Sequence, residues 1–197
     1  SYEYAVKAEK AGADRIELCK DLHLDGLTPD YESAKRTINT LKIPVFILIR
    51  PREGDFTYSD EEFELMKQDI VKFKEMGCKG IVSGVLNSDY SIDIKRTKEL
   101  VELSRPLEFT FHRAFDIVSN PSKEIENLIE IGVDRVLTSG QKDRAIEGID
   151  LLVSLNVNTN KKIIIMPGGK LKYKMAQRIK QLGFNEIHGT FQDHLIN

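Results

Sequence analysis

Charged and imidazole side chains occur at the ends of several apolar, β-rich segments of this 197-residue chain. Glu17 lies near the end of the first segment, and His112 and Arg113 end a later one, with Asp116 three residues further on. A carboxylate and an imidazole can exchange protons with a substrate, and a guanidinium can stabilise negative charge that develops on it. The pattern therefore predicts Glu17, His112, Arg113 and Asp116 as a catalytic set.

A second group of residues has the chemistry of an anion-binding site. The guanidinium groups of Arg50 and Arg52 suit phosphate and carboxylate. Gly168 and Gly169 follow a late apolar segment and precede a helical pattern, a position at which backbone N–H groups hold phosphate in parallel barrels. Together with His188, these residues are the predicted site for a small phosphate- or carboxylate-bearing ligand.

The same residues also have purely structural interpretations. Glu17 could pair with a neighbouring arginine, and His112 could be a hydrogen-bonded core histidine. Arg50 and Arg52 could pair with acidic side chains, and the two glycines could form only a turn. The residue types alone leave both interpretations open.

The elements that must position these side chains alternate between strands and helices. Seven apolar segments read as strands: Arg15–Cys19, Pro44–Arg50, Gly80–Gly84, Leu107–Arg113, Arg135–Ser139, Lys162–Met166 and Glu186–His188. The helical patterns between them are roughly ten or more residues long. Such alternation predicts an α/β fold with a parallel sheet that is buried on both faces.

The strand entries repeat in two kinds. Four strands follow a glycine that ends a helix (Gly12, Gly77, Gly132 and Gly183), and the strands between them enter through proline or lysine. Four such two-strand units predict a TIM-type (β/α)8 barrel, formed as a single domain by residues 1–197, with its first strand missing ahead of Ser1. An open doubly wound sheet is the alternative.

One helix is predicted in detail, because its start carries a capping signal. Ser59 is followed by Glu62 three residues later, the spacing of a capping box. The apolar residues after them recur at helical spacing as far as Phe73, and Gly77 ends the pattern. We therefore predict a helix over residues 60–76.

Composition excludes several classes of partner. The formal net charge is −2 and the sequence pI is about 6.1, so no strong field favours nucleic acid or a membrane surface. No apolar run approaches the length of a membrane span, and the first residues do not resemble a signal peptide. Cys19 and Cys78 have no C-x-x-C spacing, which fits a reducing compartment. We expect a cytoplasmic protein.

Several sequence blocks are similar to those of a known family. They are Gly12-Ala-Asp-Arg-Ile-Glu-Leu-Cys19, Gly26-Leu-Thr-Pro29, Ile49-Arg-Pro-Arg52, Gly54-Asp-Phe56, Tyr58-Ser-Asp60, Thr110-Phe-His-Arg-Ala-Phe-Asp116, Arg135-Val-Leu-Thr-Ser-Gly140 and Ile165-Met-Pro-Gly-Gly169. They resemble the CutC family from Gly12 to His188. The resemblance implies a TIM-barrel-like fold, a cytoplasmic setting, an association with copper handling and homo-oligomers. It carries over the charged strand-end residues, Cys19, Asp55 and the glycines 168 and 169.

The sequence departs from the family pattern at a few positions. Asp25 and Glu53 each stand where the family leads us to expect glycine, and Lys170 follows Gly169 where a third glycine is common. Lys170 weakens the phosphate-cradle interpretation but adds a positive charge. Gly189–Thr190 also differs from the small-residue serine pattern expected after His188.

Three functions follow as hypotheses. The first is a CutC-like role in copper homeostasis with a copper ion as ligand or cofactor; Cys19 is then the predicted metal residue, because cuprous copper prefers soft thiolate and thioether ligands. The second is a barrel enzyme that acts on a small anionic substrate with Glu17, His112 and the arginines. The third is a non-catalytic binding or scaffold protein, since one fold can serve many unrelated functions.

Overall fold

The computed structural model describes residues 1–171 and 173–189. The described chain contains seven α-helices: α1 (Tyr2–Lys10), α2 (Tyr31–Thr40), α3 (Asp60–Glu75), α4 (Ile94–Ser104), α5 (Pro121–Glu130), α6 (Ile149–Asn158) and α7 (Tyr173–Gln181). It contains six strands: β1 (Ile16–Leu18), β2 (Val45–Leu48), β3 (Gly80–Ser83), β4 (Glu108–Phe111), β5 (Arg135–Thr138) and β6 (Ile164–Pro167). Short 3-10 turns cover Leu22–Leu24 and Arg113–Ile117.

The six strands form one sheet whose strand order follows the chain. Ile16 of β1 pairs with Val45 of β2, and Ile47 of β2 pairs with Ile81 of β3, both in parallel register. Val136 of β5 likewise pairs in parallel with both β4 and β6. The predicted α/β fold with a parallel sheet is therefore confirmed.

The last predicted strand differs from the structure. Residues 186–188 have no strand assignment. The backbone N–H of His188 does donate to the carbonyl of Pro167 at 2.8 Å, but one bond is not the repeating ladder that defines a strand. The prediction of a strand at Glu186–His188 is wrong, and six strands are present among the described residues.

The chain divides into two compact units. The first consists of residues 1–83 and 98–109, and the second of residues 84–97 with the described residues from 110 onward. Each unit is described by itself below. The sequence prediction of one domain over 1–197 stays a prediction.

The predicted helix signals are present in the structure. Ser59 Oγ accepts from the N–H of Glu62, while the Glu62 carboxylate accepts from the N–H of Ser59, which completes the capping box of α3. The four glycines predicted to end helices all have positive φ, between +81° and +91°, a conformation that favours glycine. Gly12, Gly77 and Gly132 turn the chain from a helix into β1, β3 and β5, whereas no strand follows Gly183 among the described residues.

The described chain contains no helix that is both long and apolar enough to cross a membrane.

Candidate functional site

Glu17 is the middle residue of β1, in register with Phe46 of β2. Its Oε1 lies 3.9 Å from Nη2 of Arg15, and the Glu17 side chain is 9% exposed. The guanidinium of Arg15 also lies over the ring of Phe46, 4.8 Å from its centroid. The arginine pairing expected under the structural interpretation is therefore present, and a catalytic role for Glu17 stays a prediction.

Cys19 directly follows β1 and is half-buried. Its Sγ lies beside Gly26, where an added Cβ would be 3.1 Å from the sulfur. The side chain packs against a small apolar cluster of Phe46, Leu48 and Val82. Burial raises the pKa of the Cys19 thiol, and the carboxylates of Glu17 and Asp21 raise it further. A metal ion would therefore have to displace the thiol proton at neutral pH.

Arg50 follows β2 and is 5% exposed. Its Nη1 donates to the carbonyls of Leu24 (2.8 Å) and Gly26 (3.0 Å), and its Nη2 donates to the carbonyl of Gly54 (3.1 Å). The guanidinium lies over the ring of Phe56, 5.1 Å from the centroid. Arg50 therefore fastens two loops to the end of β2. Its Nε–H is buried without an acceptor at hydrogen-bond distance among the described residues.

Arg52 is bound by the loop that leads into α3. Its Nε donates to Glu62 Oε1 at 2.7 Å, and its Nη2 donates to Asp55 Oδ1 and to the carbonyl of Thr57. Its Nη1 donates to the carbonyls of Glu53 and Asp55. The carboxylate pairing expected under the structural interpretation is present. To bind an anion, Arg52 would have to release one of these acceptors, because each guanidinium N–H already has one.

His112 follows β4 in the second unit and is 5% exposed. Its Nδ1 accepts from the backbone N–H of Ala114 at 3.3 Å, which places the proton of the neutral imidazole on Nε2. Gly84 makes room for the ring, since a Cβ there would lie 2.9 Å from both Cε1 and Nδ1 of His112. In this tautomer Nε2 carries the ring proton and Nδ1 is occupied as an acceptor.

Asp116 organises the loop that follows β5. Its Oδ1 accepts from the hydroxyl of Thr138 (2.6 Å) and from the backbone N–H groups of Ser139 (2.9 Å) and Gln141 (3.2 Å). Its Oδ2 accepts from Nε of Arg113 at 2.8 Å. With its carboxylate 8% exposed and this many donors, Asp116 holds neighbouring groups in place.

Arg113 is held by this framework while remaining open to solvent. In addition to its bond to Asp116, its Nη2 donates to Oγ of Ser139 at 3.0 Å. The side chain is nevertheless 41% exposed. The two N–H groups of Nη1 and the second N–H of Nη2 have no acceptor in the described part of the chain. The structure therefore brings Arg113 and Asp116 of the predicted catalytic set together.

At Gly168 and Gly169, the predicted phosphate-binding turn, a hydrogen bond to the end of β5 occupies one of the expected donors. The N–H of Gly168 donates to the carbonyl of Thr138 at 2.9 Å, so it is not available to an anion. An added Cβ on Gly168 would lie 3.3 Å from Cβ of His188, so these two predicted residues are in close contact. Gly169 turns the chain with φ +113°. Lys170 then forms an ion pair with Asp143 at 2.7 Å.

A metal site of several ligands is not formed by the described residues. No group of three or more histidine, cysteine, aspartate or glutamate side chains could hold a metal ion among residues 1–171 and 173–189. Cys78 is 1% exposed, and burial raises the pKa of its thiol to about 11. The thioether of Met166 is also 1% exposed. The side chains of Cys78 and Met166 are thus both shielded from solvent.

Sequence reasoning missed a buried ion pair in the second unit. The guanidinium of Arg135, at the start of β5, donates to both carboxylate oxygens of Glu186, at 2.5 and 2.8 Å. Its Nη1 also donates to the hydroxyl of Thr110 at 3.3 Å. The signal was an arginine inside an otherwise apolar strand, since a buried guanidinium requires acceptors.

Comparison with known proteins identifies the family. The family model described as "CutC family" matches residues 1–193. The "Copper homeostasis protein cutC homolog" of Homo sapiens is 45% identical over 189 residues, covering 95% of this chain and 69% of that protein.

Solved structures agree with this match. CutC from Streptococcus agalactiae has a TM-score of 0.86 and 34% identity, covering 92% of this chain and 90% of that chain. An aldolase called QR15 has a TM-score of 0.71 at 15% identity, covering 96% of this chain and 83% of its own, and shares the fold alone. On the match across nearly its whole length, this chain belongs to the CutC family.

Proposed function

We propose that this protein acts in copper homeostasis. The observation that carries the proposal is the family match, together with 45% identity to a human protein named for copper homeostasis across 95% of this chain. Copper is here the cargo or ligand of the protein, since the described residues do not form a resident metal centre.

Cys19 is the proposed contact for cuprous copper. Its thiol is half-buried, whereas the thiol of Cys78 is fully buried. The two also lie at opposite ends of parallel strands in the first unit. Leu18 of β1 is level with Ile81 of β3 through Ile47 of β2, so Cys78 is offset from Cys19 by roughly 13 Å along the strands, at about 3.3 Å per residue. The two sulfurs cannot share one metal ion within a protomer.

One thiol with a raised pKa is a weak ligand for cuprous copper, which prefers two or more soft donors. We therefore expect weak binding by a single protomer. A homo-oligomer that brings together two Cys19 thiols would supply the second donor, at one copper ion per two chains.

The test is a competition titration against a cuprous chelator under anaerobic, reducing conditions. Cys19→Ser should remove most of the binding, and the matched variant Cys78→Ser should leave it unchanged. Tight binding that survives Cys19→Ser would refute the assignment of Cys19. Binding that is absent from the wild-type chain at every protein concentration would refute direct copper binding.

A second candidate is an enzyme that acts on a small anionic substrate. Arg113 favours it, because its guanidinium is fixed in place yet keeps three N–H donors that no described residue accepts. His112, in the same unit, is the proposed acid–base group for this chemistry, and Glu17 of the first unit stays a separate prediction. In the first unit, Arg50 and Arg52 stay predicted anion-binding residues, and Arg52 would first have to release an acceptor.

The finer architecture and setting are also proposals. The sheet of six parallel strands and the likeness to CutC and aldolase structures support a (β/α)8 barrel for the whole protein. Two cysteines, both free thiols, support a reducing, cytoplasmic setting.

A further inference from the structure

The guanidinium of Arg113 presents an open two-donor edge. Its Nε and one N–H of Nη2 are bound to Asp116 and Ser139, at 2.8 and 3.0 Å. The remaining donors are both N–H groups of Nη1 and the second N–H of Nη2. One N–H from each terminal nitrogen forms the fork that binds two oxygens of a carboxylate or phosphate at once.

This edge is held in a fixed orientation. Asp116, which positions Nε, also accepts from Thr138, Ser139 and Gln141, and Ser139 is fully buried. Gly169 lies against the same loop, since a Cβ there would be 3.0 Å from Cβ of Ser139. A guanidinium held in this way loses little side-chain freedom when it binds a ligand, which favours affinity.

The charge around this edge is positive. Lys142 and Arg144 flank Asp143 in the loop after β5, and Lys170 is paired with Asp143. The pKa of Asp143 is held below its ordinary value by Lys170, and also by Arg113 and Arg144, so these cations lie near one another. Arg113, Arg144 and Lys170 outnumber the two paired carboxylates, Asp116 and Asp143, and this net positive charge favours a dianion over a monoanion.

We propose that Arg113, held by Asp116 and Ser139, binds the phosphate group of a small molecule in the second unit. This site is separate from the copper proposal. Its biological role rests on the second candidate function, the enzyme that acts on a small anionic substrate. The proposal specifies the substrate class of that enzyme as phosphate-bearing small molecules.

The first experiment uses the wild-type protein, with inorganic phosphate as the probe. Arginine side-chain nitrogens are followed by NMR in a phosphate-free chloride buffer at pH 7.5. The Nη signals of Arg113 should shift saturably as phosphate is added. The absence of a saturable shift at Arg113 would overturn the proposal, whether or not any variant folds.

The second experiment measures affinity by calorimetry. Arg113→Gln should weaken phosphate binding about tenfold or more, since hydrogen bonds to charged groups are lost. Arg113→Lys should give an intermediate loss, because it keeps the charge without the fork. The matched control Arg178→Gln removes an exposed arginine from the last turn of α7 and should change the affinity less than twofold. Equal losses in Arg178→Gln and Arg113→Gln would overturn the proposal.

Two further measurements separate this proposal from others. Acetate should bind at least about tenfold more weakly than phosphate, because a monoanion uses the excess charge less well; equal affinity would overturn the phosphate assignment. Cys19→Ser should leave phosphate affinity unchanged, so a failed copper proposal and a failed phosphate proposal give different results.

Discussion

Arg135 and Glu186 form a two-bond ion pair between residues that are 51 positions apart, at 2.5 and 2.8 Å. The arginine side chain is 3% exposed and the glutamate side chain 24%. The pair ties the segment that leads to His188 to the start of β5.

Glu186→Gln should therefore destabilise the protein. The buried guanidinium would lose its carboxylate partner, and breaking a buried pair costs about 3–5 kcal/mol when one charge is left behind. We expect a loss near the lower end of that range, because glutamine can still accept one hydrogen bond. Chemical denaturation measures it, with the exposed Glu126→Gln on α5 as the control. A loss no larger than that of the control would show that the pair contributes nothing.

Arg52→Gln should lower stability without changing phosphate affinity. The arginine has five acceptors, among them the same Glu62 that caps α3. We expect about 1–2 kcal/mol of lost stability, since hydrogen bonds to charged groups contribute about that much and solvent partly screens this one. Urea denaturation and phosphate calorimetry on the same variant check both halves. Lost phosphate affinity would instead support the anion site predicted from the sequence.

Gly84→Ala should displace the ring of His112. The new methyl group would lie 2.9 Å from Cε1 and Nδ1, so the imidazole would have to leave its bond to Ala114. Overpacking of this kind costs about 1–3 kcal/mol. The exposed Ser88→Ala in the same connection should stay within about 0.5 kcal/mol of wild type. An unchanged NMR signal from the His112 ring in Gly84→Ala would contradict this packing.

The pH dependence of alkylation tests the environment of Cys19. In a Cys78→Ser background, iodoacetamide reacts with the Cys19 thiolate alone. Because the folded pKa is raised, the thiolate fraction at pH 8 should be smaller than in the unfolded chain, and the reaction slower. The rate should continue to rise with pH beyond the point at which the unfolded chain levels off. Equal rates in the folded and unfolded protein at pH 8 would contradict a buried, protonated thiol.

Much of the fold could be predicted from the sequence, because its signals are local. A glycine such as Gly77 ends a helix through its own backbone conformation, and Ser59 with Glu62 caps α3 through neighbouring atoms. The prediction of a seventh strand at Glu186–His188 is wrong. These three residues alternate between polar and apolar side chains, which is the pattern of a strand. Pairing along a strand depends on a partner elsewhere in the chain, and the described residues show a bond from the His188 N–H to Pro167 here without a strand assignment.

The residue types of the candidate site could be predicted from the sequence. Which of these side chains keep hydrogen-bond donors for a ligand could not. The sequence identifies Arg52 and Arg113 equally as anion-binding or catalytic groups. Their difference arises from acceptors that the fold brings to each. Loop carbonyls and carboxylates accept from every N–H of the Arg52 guanidinium, whereas three donors of Arg113 have no acceptor among residues 1–171 and 173–189. Such competition between internal and external partners depends on three-dimensional proximity, which residue spacing does not encode.

The way in which Asp116 gathers the loop after β5 also has an evolutionary consequence. Thr138, Ser139 and Arg113 all depend on the same carboxylate. A change at position 116 alone would leave several buried N–H and O–H donors without an acceptor, so selection should remove such single replacements. We therefore expect positions 113, 116 and 139 to covary among relatives. In relatives that no longer bind a ligand at this site, we expect all three residues to be replaced together.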